Sequence, residues 1–199
     1  MSLILASASP IRGTLLRNAG LSFEVAPADI DERAAEQPLL AAGAAPEDLA
    51  LALAMAKAVS VSARRSGDLV IGADQVLDFM GERLTKPADM EAARRQLLRL
   101  AGRTHQLHSA VAGARDGNIV WSTVETATLK MRRFEPAAAG QYLARAGETA
   151  LQSVGAYQLE RLGVQLFEAI EGDYFAILGL PLLPLLGFLR EEGVEGILQ

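Results

Sequence analysis

Ser7, Ser9 and Arg12 follow an apolar opening and run directly into a helix start. Ser9 before Pro10 is an N-terminal helix signal. Serine caps free N–H groups, and proline at the first helical position loses no hydrogen bond. The first N–H groups of any helix lack partners, so two hydroxyls and a guanidinium beside them make a cradle for a phosphate. The same spacing also suits a plain N-cap with a solvated arginine. Asp74 follows the apolar run 69–73, at the carboxyl end where α/β sheets place their ligands. An acid there holds a metal or takes a proton from water, or else shapes a turn. Lys57 sits in an otherwise apolar helical stretch, and Lys86 precedes Pro87, which holds its backbone extended. Each can meet a phosphate as a point charge, or be an ordinary surface lysine. Asp29, Asp31 and Glu32 offer oxygen ligands of the kind Mg²⁺ takes, although a solvated acidic loop has the same composition. His105 and His108 stand three apart in a β-like stretch. They therefore face opposite sides, and they read as structural rather than as co-ligands.

These residues need elements to hold them. Residues 3–6 read as a buried strand and residues 23–26 as a second. A helix is expected between them, with Ile11, Leu15 and Leu16 at helical spacing and Gly20 at its end. Residues 27–36 read as an acidic loop and 41–45 as flexible. Pro46, Glu47 and Asp48 then open a helix that runs to about Arg64. Residues 69–73 read as a buried strand, followed by a hairpin that turns at Gly81. Met90, Ala93, Leu97 and Leu100 form one helix face. From His105 to Met131 the pattern is β, with Asp116-Gly117-Asn118 as the turn. Residues 136–146 read as helix, 155–163 as loop, 164–170 and 173–177 as strands, and 181–192 as a closing helix. Alternating helices and strands with one antiparallel meander give an α/β fold, a mixed twisted sheet with flanking helices. No composition shift marks a boundary, so residues 1–199 are expected to form a single domain, with the meander as a possible second lobe.

Composition narrows the function. The 199 residues are 50% hydrophobic and 22% charged, as in a globular chain with a core of its own. A net charge of −5 argues against general nucleic-acid binding. Cysteine is absent, which excludes disulfides, thiolate metal sites and a Cys nucleophile, and is compatible with a reducing cytoplasm. The first residues lack a signal-peptide pattern. The most apolar stretch, 176–189, is too short to span a membrane and is broken by Pro181 and Pro184. No P-loop or Rossmann glycine fingerprint appears.

Ordered along the chain, the segments LILASASPIRGTLL, DIDE, AMAKA, VIGADQV, TKP, AGRTH, SVGAYQLERLG and EGDYFAILGLPLLPLL resemble the Maf family of nucleoside triphosphate pyrophosphatases over nearly the whole length. The resemblance implies a fold similar to that of the inosine triphosphate pyrophosphatases, elongated and two-lobed with a central cleft, and often homodimeric. It implies hydrolysis of the α–β phosphoanhydride of a nucleoside triphosphate with a divalent cation, Mg²⁺ or Mn²⁺, as housecleaning of modified nucleotides. Asp74 matches the family's catalytic acid. Ser7, Ser9 and Arg12 match its phosphate-binding turn, and Lys57 and Lys86 its phosphate-facing lysines. Glu32 matches the glutamate expected to share the metal with Asp74. Base choice maps to Ile11, Gln75 and Glu160. One branch resembles dTTP and UTP hydrolases and carries Arg, Thr and Gln at these places. The other prefers 7-methyl-GTP. Gln75, Glu160 and the LFEAIEG segment look like the second branch, while Ile11 matches neither and AGRTH looks like the first. A carboxylate at 160 suits the donor edge of guanine. A third reading from another class is a nucleotide-binding regulator of cell division or septum formation, an association that the family name carries.

Overall fold

The computed structural model describes residues 2–196 and 198. Its elements run β1 (Leu3–Leu5), α1 (Pro10–Asn18), β2 (Glu24–Val25), α2 (Glu32–Ala41), α3 (Pro46–Ser62), β3 (Leu69–Phe79), β4 (Glu82–Leu84), α4 (Met90–Leu100), β5 (Thr104–Arg115), β6 (Asn118–Met131), α5 (Pro136–Ala146), β7 (Phe167–Glu171), α6 (Tyr174–Ile177) and α7 (Leu182–Glu191). Short 3-10 turns lie between α5 and β7. The seven strands form one mixed sheet in the order β2-β1-β3-β5-β6-β7, with β4 paired to β3. β1 is parallel to both β2 and β3, whereas β4 on β3 and β7 on β6 are antiparallel. The expected α/β class with a mixed sheet and flanking helices therefore holds.

The chain divides into two compact units. The first comprises residues 1–75, 109–125 and 173–199, and the second residues 76–108 and 126–172. In the first, β1 and the start of β3 are fully apolar and buried on both faces, as interior parallel strands must be. Ile4, Ala6, Val61 and Val70 form one core cluster there. α3 lies directly on β3 at Gly72, where a Cβ would stand only 2.2 Å from the Ala54 carbonyl oxygen. α7 closes the unit, with Phe188 stacked on Trp121 at 4.8 Å and Arg115 paired to Glu192 at 2.5 Å. In the second unit, α4 turns Ala93, Leu97 and Leu100 inward and packs on α5 and the 3-10 turns. Its cap is Asp89, which accepts from the Ala92 N–H at 2.7 Å.

Several local expectations give way. β3 runs on to Phe79, so Asp74 stands within the strand and not past its carboxyl end. Residues 164–166 belong to a 3-10 turn, and the strand expected there starts only at Phe167. Residues 27–36 are not all loop, because α2 begins at Glu32. Asp31 caps it, accepting from the Ala34 N–H at 3.0 Å, and Ala34 and Ala35 carry the first turn despite Pro38 further on. Residues 173–177 are not a strand. Asp173 accepts from the Ala176 N–H at 2.8 Å and starts the single turn α6. In both places an aspartate three residues before an alanine outweighs the β-like or polar composition.

Candidate functional site

The turn from β1 to α1 buries Ser7 and Arg12 and leaves Ser9 half-exposed at the cap position. The Ser9 side chain makes no cap hydrogen bond. The Ser7 hydroxyl oxygen instead accepts from the Ser9 N–H at 3.3 Å and from Arg12 Nη1 at 3.0 Å. Arg12 also donates from Nη1 to the Ala73 carbonyl at 2.8 Å and from Nε to the Gly179 carbonyl at 2.7 Å. The guanidinium thus ties α1 to the middle of β3 and to the turn after α6. Burial lowers the Arg12 pKa, while the Asp74 and Glu32 carboxylates work in the opposite direction. Ile11, one residue into α1, is half-buried.

Asp74 lies on β3 just beyond Ala73, with only 7% of its surface exposed. Lys57 donates from Nζ to Asp74 Oδ1 at 2.5 Å and also lies 2.8 Å from Glu32 Oε1. Lys57 reaches Asp74 because α3 sits hard against β3 at Gly72. Glu32 reaches Lys57 because α2 begins at that residue. Asp74 Oδ2 has no hydrogen-bond partner among the described residues, so one carboxylate oxygen is held by a lysine and the other is open to a ligand or a water. Among the described residues Asp29 makes no hydrogen bond or ion pair with this group, and Asp31 is engaged as the α2 cap. Among the described residues no three His, Cys, Asp or Glu side chains cluster as a ready metal cage.

Gln75 follows Asp74. Its amide nitrogen donates to Ser109 Oγ at 2.9 Å and to the carbonyls of Ala176 and Ile177 at 3.2 and 3.0 Å. Ser109, fully buried, donates in turn to the Ala176 carbonyl at 2.6 Å. Only the Gln75 amide oxygen is left for another partner. Sequence reasoning missed Ser109, and also Glu125 on β6, whose buried Oε2 has no hydrogen-bond partner among the described residues. Burial, and then the charge of Asp173, raises the Glu125 pKa. Nothing in the local pattern of either residue marks it.

The first unit therefore gathers Ser7, Ser9, Ile11, Arg12, Glu32, Lys57, Asp74 and Gln75. Lys86 and Glu160 belong to the second unit. Lys86 is exposed between β4 and α4 and has no ion-pair partner among the described residues. Glu160 is exposed in the segment between α5 and β7. His105 and His108 prove to have separate partners, Tyr157 at 2.7 Å and Thr126 at 2.9 Å. No described helix is long and apolar enough to cross a membrane.

The chain is 56% identical over 192 residues to the 7-methyl-GTP pyrophosphatase of Brucella abortus biovar 1 (strain 9-941), an alignment covering 96% of each protein. It is 58% identical over 191 residues to the 7-methyl-GTP pyrophosphatase of Mesorhizobium japonicum, again covering 96% of each. Against the nucleoside triphosphate pyrophosphatase of Caulobacter vibrioides the identity is 53% over 189 residues, covering 95% of this chain and 94% of the relative. The sequence pattern of the Maf-like proteins matches residues 2–192, and the chain belongs to that family.

Proposed function

We propose that this protein is a metal-dependent nucleoside triphosphate pyrophosphatase that removes 7-methyl-GTP, releasing pyrophosphate and the monophosphate. The observation that carries the reading is the Glu32–Lys57–Asp74 group, in the same unit as the turn of Ser7, Ser9 and Arg12. The names of the Brucella and Mesorhizobium relatives support the substrate. Asp74 acts as general base through its open Oδ2 and takes a proton from the water that attacks the α-phosphorus. The bond from that phosphorus to the bridging oxygen breaks, and pyrophosphate leaves. Lys57 holds the other oxygen of Asp74 and so fixes the direction of the base. The free N–H groups of the first α1 turn and the Ser9 hydroxyl bind phosphate oxygens. From the matching motifs, Lys86 adds a positive point charge and Glu160 accepts from the guanine N1–H and N2–H₂ edge.

The charges favour a divalent cation. Arg12 and Lys57 are balanced by Glu32 and Asp74, so this group brings no net positive charge to a triphosphate. Two carboxylates with no nitrogen or sulfur donor fit Mg²⁺ or Mn²⁺, whose remaining ligands are water and substrate phosphate. Glu32 and Asp74 would hold the cation, which when bound draws charge from the phosphate oxygens. In the same reading the protein works in the cytoplasm as a homodimer and leaves nucleic acid unbound.

A dTTP and UTP preference is the second reading. It is favoured by Gln75, whose amide nitrogen is engaged within the protein rather than free to meet a purine. The test is pyrophosphate release from 7-methyl-GTP, GTP, dTTP, UTP and ITP with Mg²⁺ and with Mn²⁺, alongside Asp74→Asn. Strong 7-methyl-GTP turnover that the variant loses is the expected result. A pyrimidine preference moves the substrate to the second reading. Silence on every nucleotide leaves a nucleotide-binding role in cell division as the better account.

A further inference from the structure

Residues 153–163, SVGAYQLERLG, have the composition of a loop, yet Gly155, Ala156, Tyr157, Leu159 and Gly163 are buried and Glu160 and Arg161 are exposed. The chain enters through two successive residues in the left-handed region, Gly155 at φ 76° and Ala156 at φ 62°. That conformation is strained for alanine and persists only where the surroundings over-determine it. The surroundings here are aromatic. The turn drives Tyr157 inward to 4% exposure, its ring edge-on to Phe167 at 4.8 Å and its hydroxyl 2.7 Å from His105 Nε2. Among the described residues that is the one hydrogen bond of the His105 ring, since its buried Nδ1 has no partner there. Burial lowers His105 to about 4, so the ring is neutral at working pH.

The next residue is held as firmly. The Gln158 carbonyl accepts from the Arg161 N–H at 3.2 Å. Gly163 packs so closely that a Cβ there would lie 2.4 Å from the Gln158 oxygen. The Glu160 carboxylate is near enough for its charge to raise the Tyr142 hydroxyl, after the larger effect of burial.

We propose that Tyr157, clamped by His105, is a positioning residue for base selection: it fixes the segment that presents Glu160. This rests on the reading of Glu160 as the base-edge acceptor. An imidazole buried with one nitrogen unpaired is a poor core residue, and an apolar side chain would pack there without an orphan atom. Its hydrogen bond anchors a segment on which the exposed carboxylate of Glu160 directly follows the buried Leu159.

The experiment is Tyr157→Phe, which keeps the ring and removes the hydroxyl, made in the native chain and in Glu160→Gln. The readout is the ratio of kcat/KM for the best and second-best triphosphates of the panel, with the melting temperature beside it. Loss of one neutral buried hydrogen bond predicts a fall in that ratio of about fivefold in the native chain, carried by KM. In Glu160→Gln the same change leaves the ratio where it is, while the melting temperature drops equally in both backgrounds. His105→Gln, which can still meet the hydroxyl, keeps the ratio within about twofold, and His105→Leu does not. An unchanged ratio in the native chain, or an equal fall in Glu160→Gln, overturns the proposal and leaves Tyr157 as core packing. So does a Glu160→Gln change that itself leaves the ratio intact. Should Tyr157→Phe fail to fold, the His105→Gln and His105→Leu pair tests the same bond from its other end and carries the same expectation. Failure of the pyrophosphatase reading is distinct, because it shows in the wild-type and Asp74→Asn arms alone.

Discussion

Replacing Gly72 with alanine probes how the fold aims Lys57 at Asp74. The added Cβ would stand 2.2 Å from the Ala54 oxygen and 2.6 Å from the Ala58 nitrogen. Both atoms are backbone, so no rotamer change relieves the overlap. α3 must retreat on the order of 1 Å, an overpacking that costs about 1–3 kcal/mol. For a chain of this size that lowers Tm by roughly 3–10 °C. Lys57 lies between those two contacts on the same helix, and its Nζ holds Asp74 Oδ1 at 2.5 Å. A shift of about 1 Å at a reacting group can cost on the order of a hundredfold in rate, and a flexible lysine absorbs part of it. The expected loss in kcat is therefore about tenfold, measured as pyrophosphate release at 25 °C, well below the melting range. Gly113→Ala is the control. Its Cβ would meet the Phe188 ring at 2.7 Å, on a stack with Trp121 rather than on α3. It should lower Tm while kcat stays within about twofold of the parent. The reasoning is refuted if Gly72→Ala melts like the parent, if it keeps full kcat, or if Gly113→Ala inactivates to the same degree.

Three further outcomes are expected. Lys57→Met strands the Asp74 carboxylate, 10% exposed at its side chain, without its cation. Urea unfolding should show a loss of about 3 kcal/mol of stability, and adding Asp74→Asn should restore part of it. Arg12→Lys should cost about 1–3 kcal/mol on the same assay, because a single ammonium cannot serve the Ser7 oxygen and the carbonyls of Ala73 and Gly179 together. His105 is held near 4 against an ordinary 6.5, so between those values the unfolded chain binds the proton and the folded chain does not. Stability should then drop by about 3 kcal/mol as pH falls from 6.5 to 4, and His105→Gln should lack that part of the acid sensitivity in denaturant melts at the two pH values.

The parts of the fold written in short-range pattern were legible. Ser9-Pro10 starts α1, Pro46-Glu47-Asp48 starts α3, and the period of Ala93, Leu97 and Leu100 gives α4 its inner face. Asp116-Gly117 turns the hairpin, with φ of 50° and 77° as a two-residue turn requires. What failed was also local. The caps Asp31 and Asp173 were read as loop and strand because the residues around them favoured those states more than the caps favoured helix. The pairing of His105 with Tyr157 joins residues 52 apart in the chain, and Ser109 meets Ala176 across 67. No periodicity carries such information, since those contacts exist only once the sheet order has formed.

Arg12 shows the limit most sharply. Its place after two serines suits a phosphate ligand, and suits a solvated helix residue as well. The structure makes it neither in simple form. Nε and both protons of Nη1 go to Gly179, Ser7 and Ala73, so three of its five N–H groups brace the turn from within. Only Nη2 is left for an anion. Phosphate contacts at this turn must therefore come mainly from the free N–H groups at the start of α1 and the unbonded Ser9 hydroxyl, with Arg12 supplying field and shape. The distinction has a measurable form. If Arg12 braces the turn, its loss should lower stability as well as raise KM, whereas Ser9→Ala should raise KM with the melting temperature nearly unchanged.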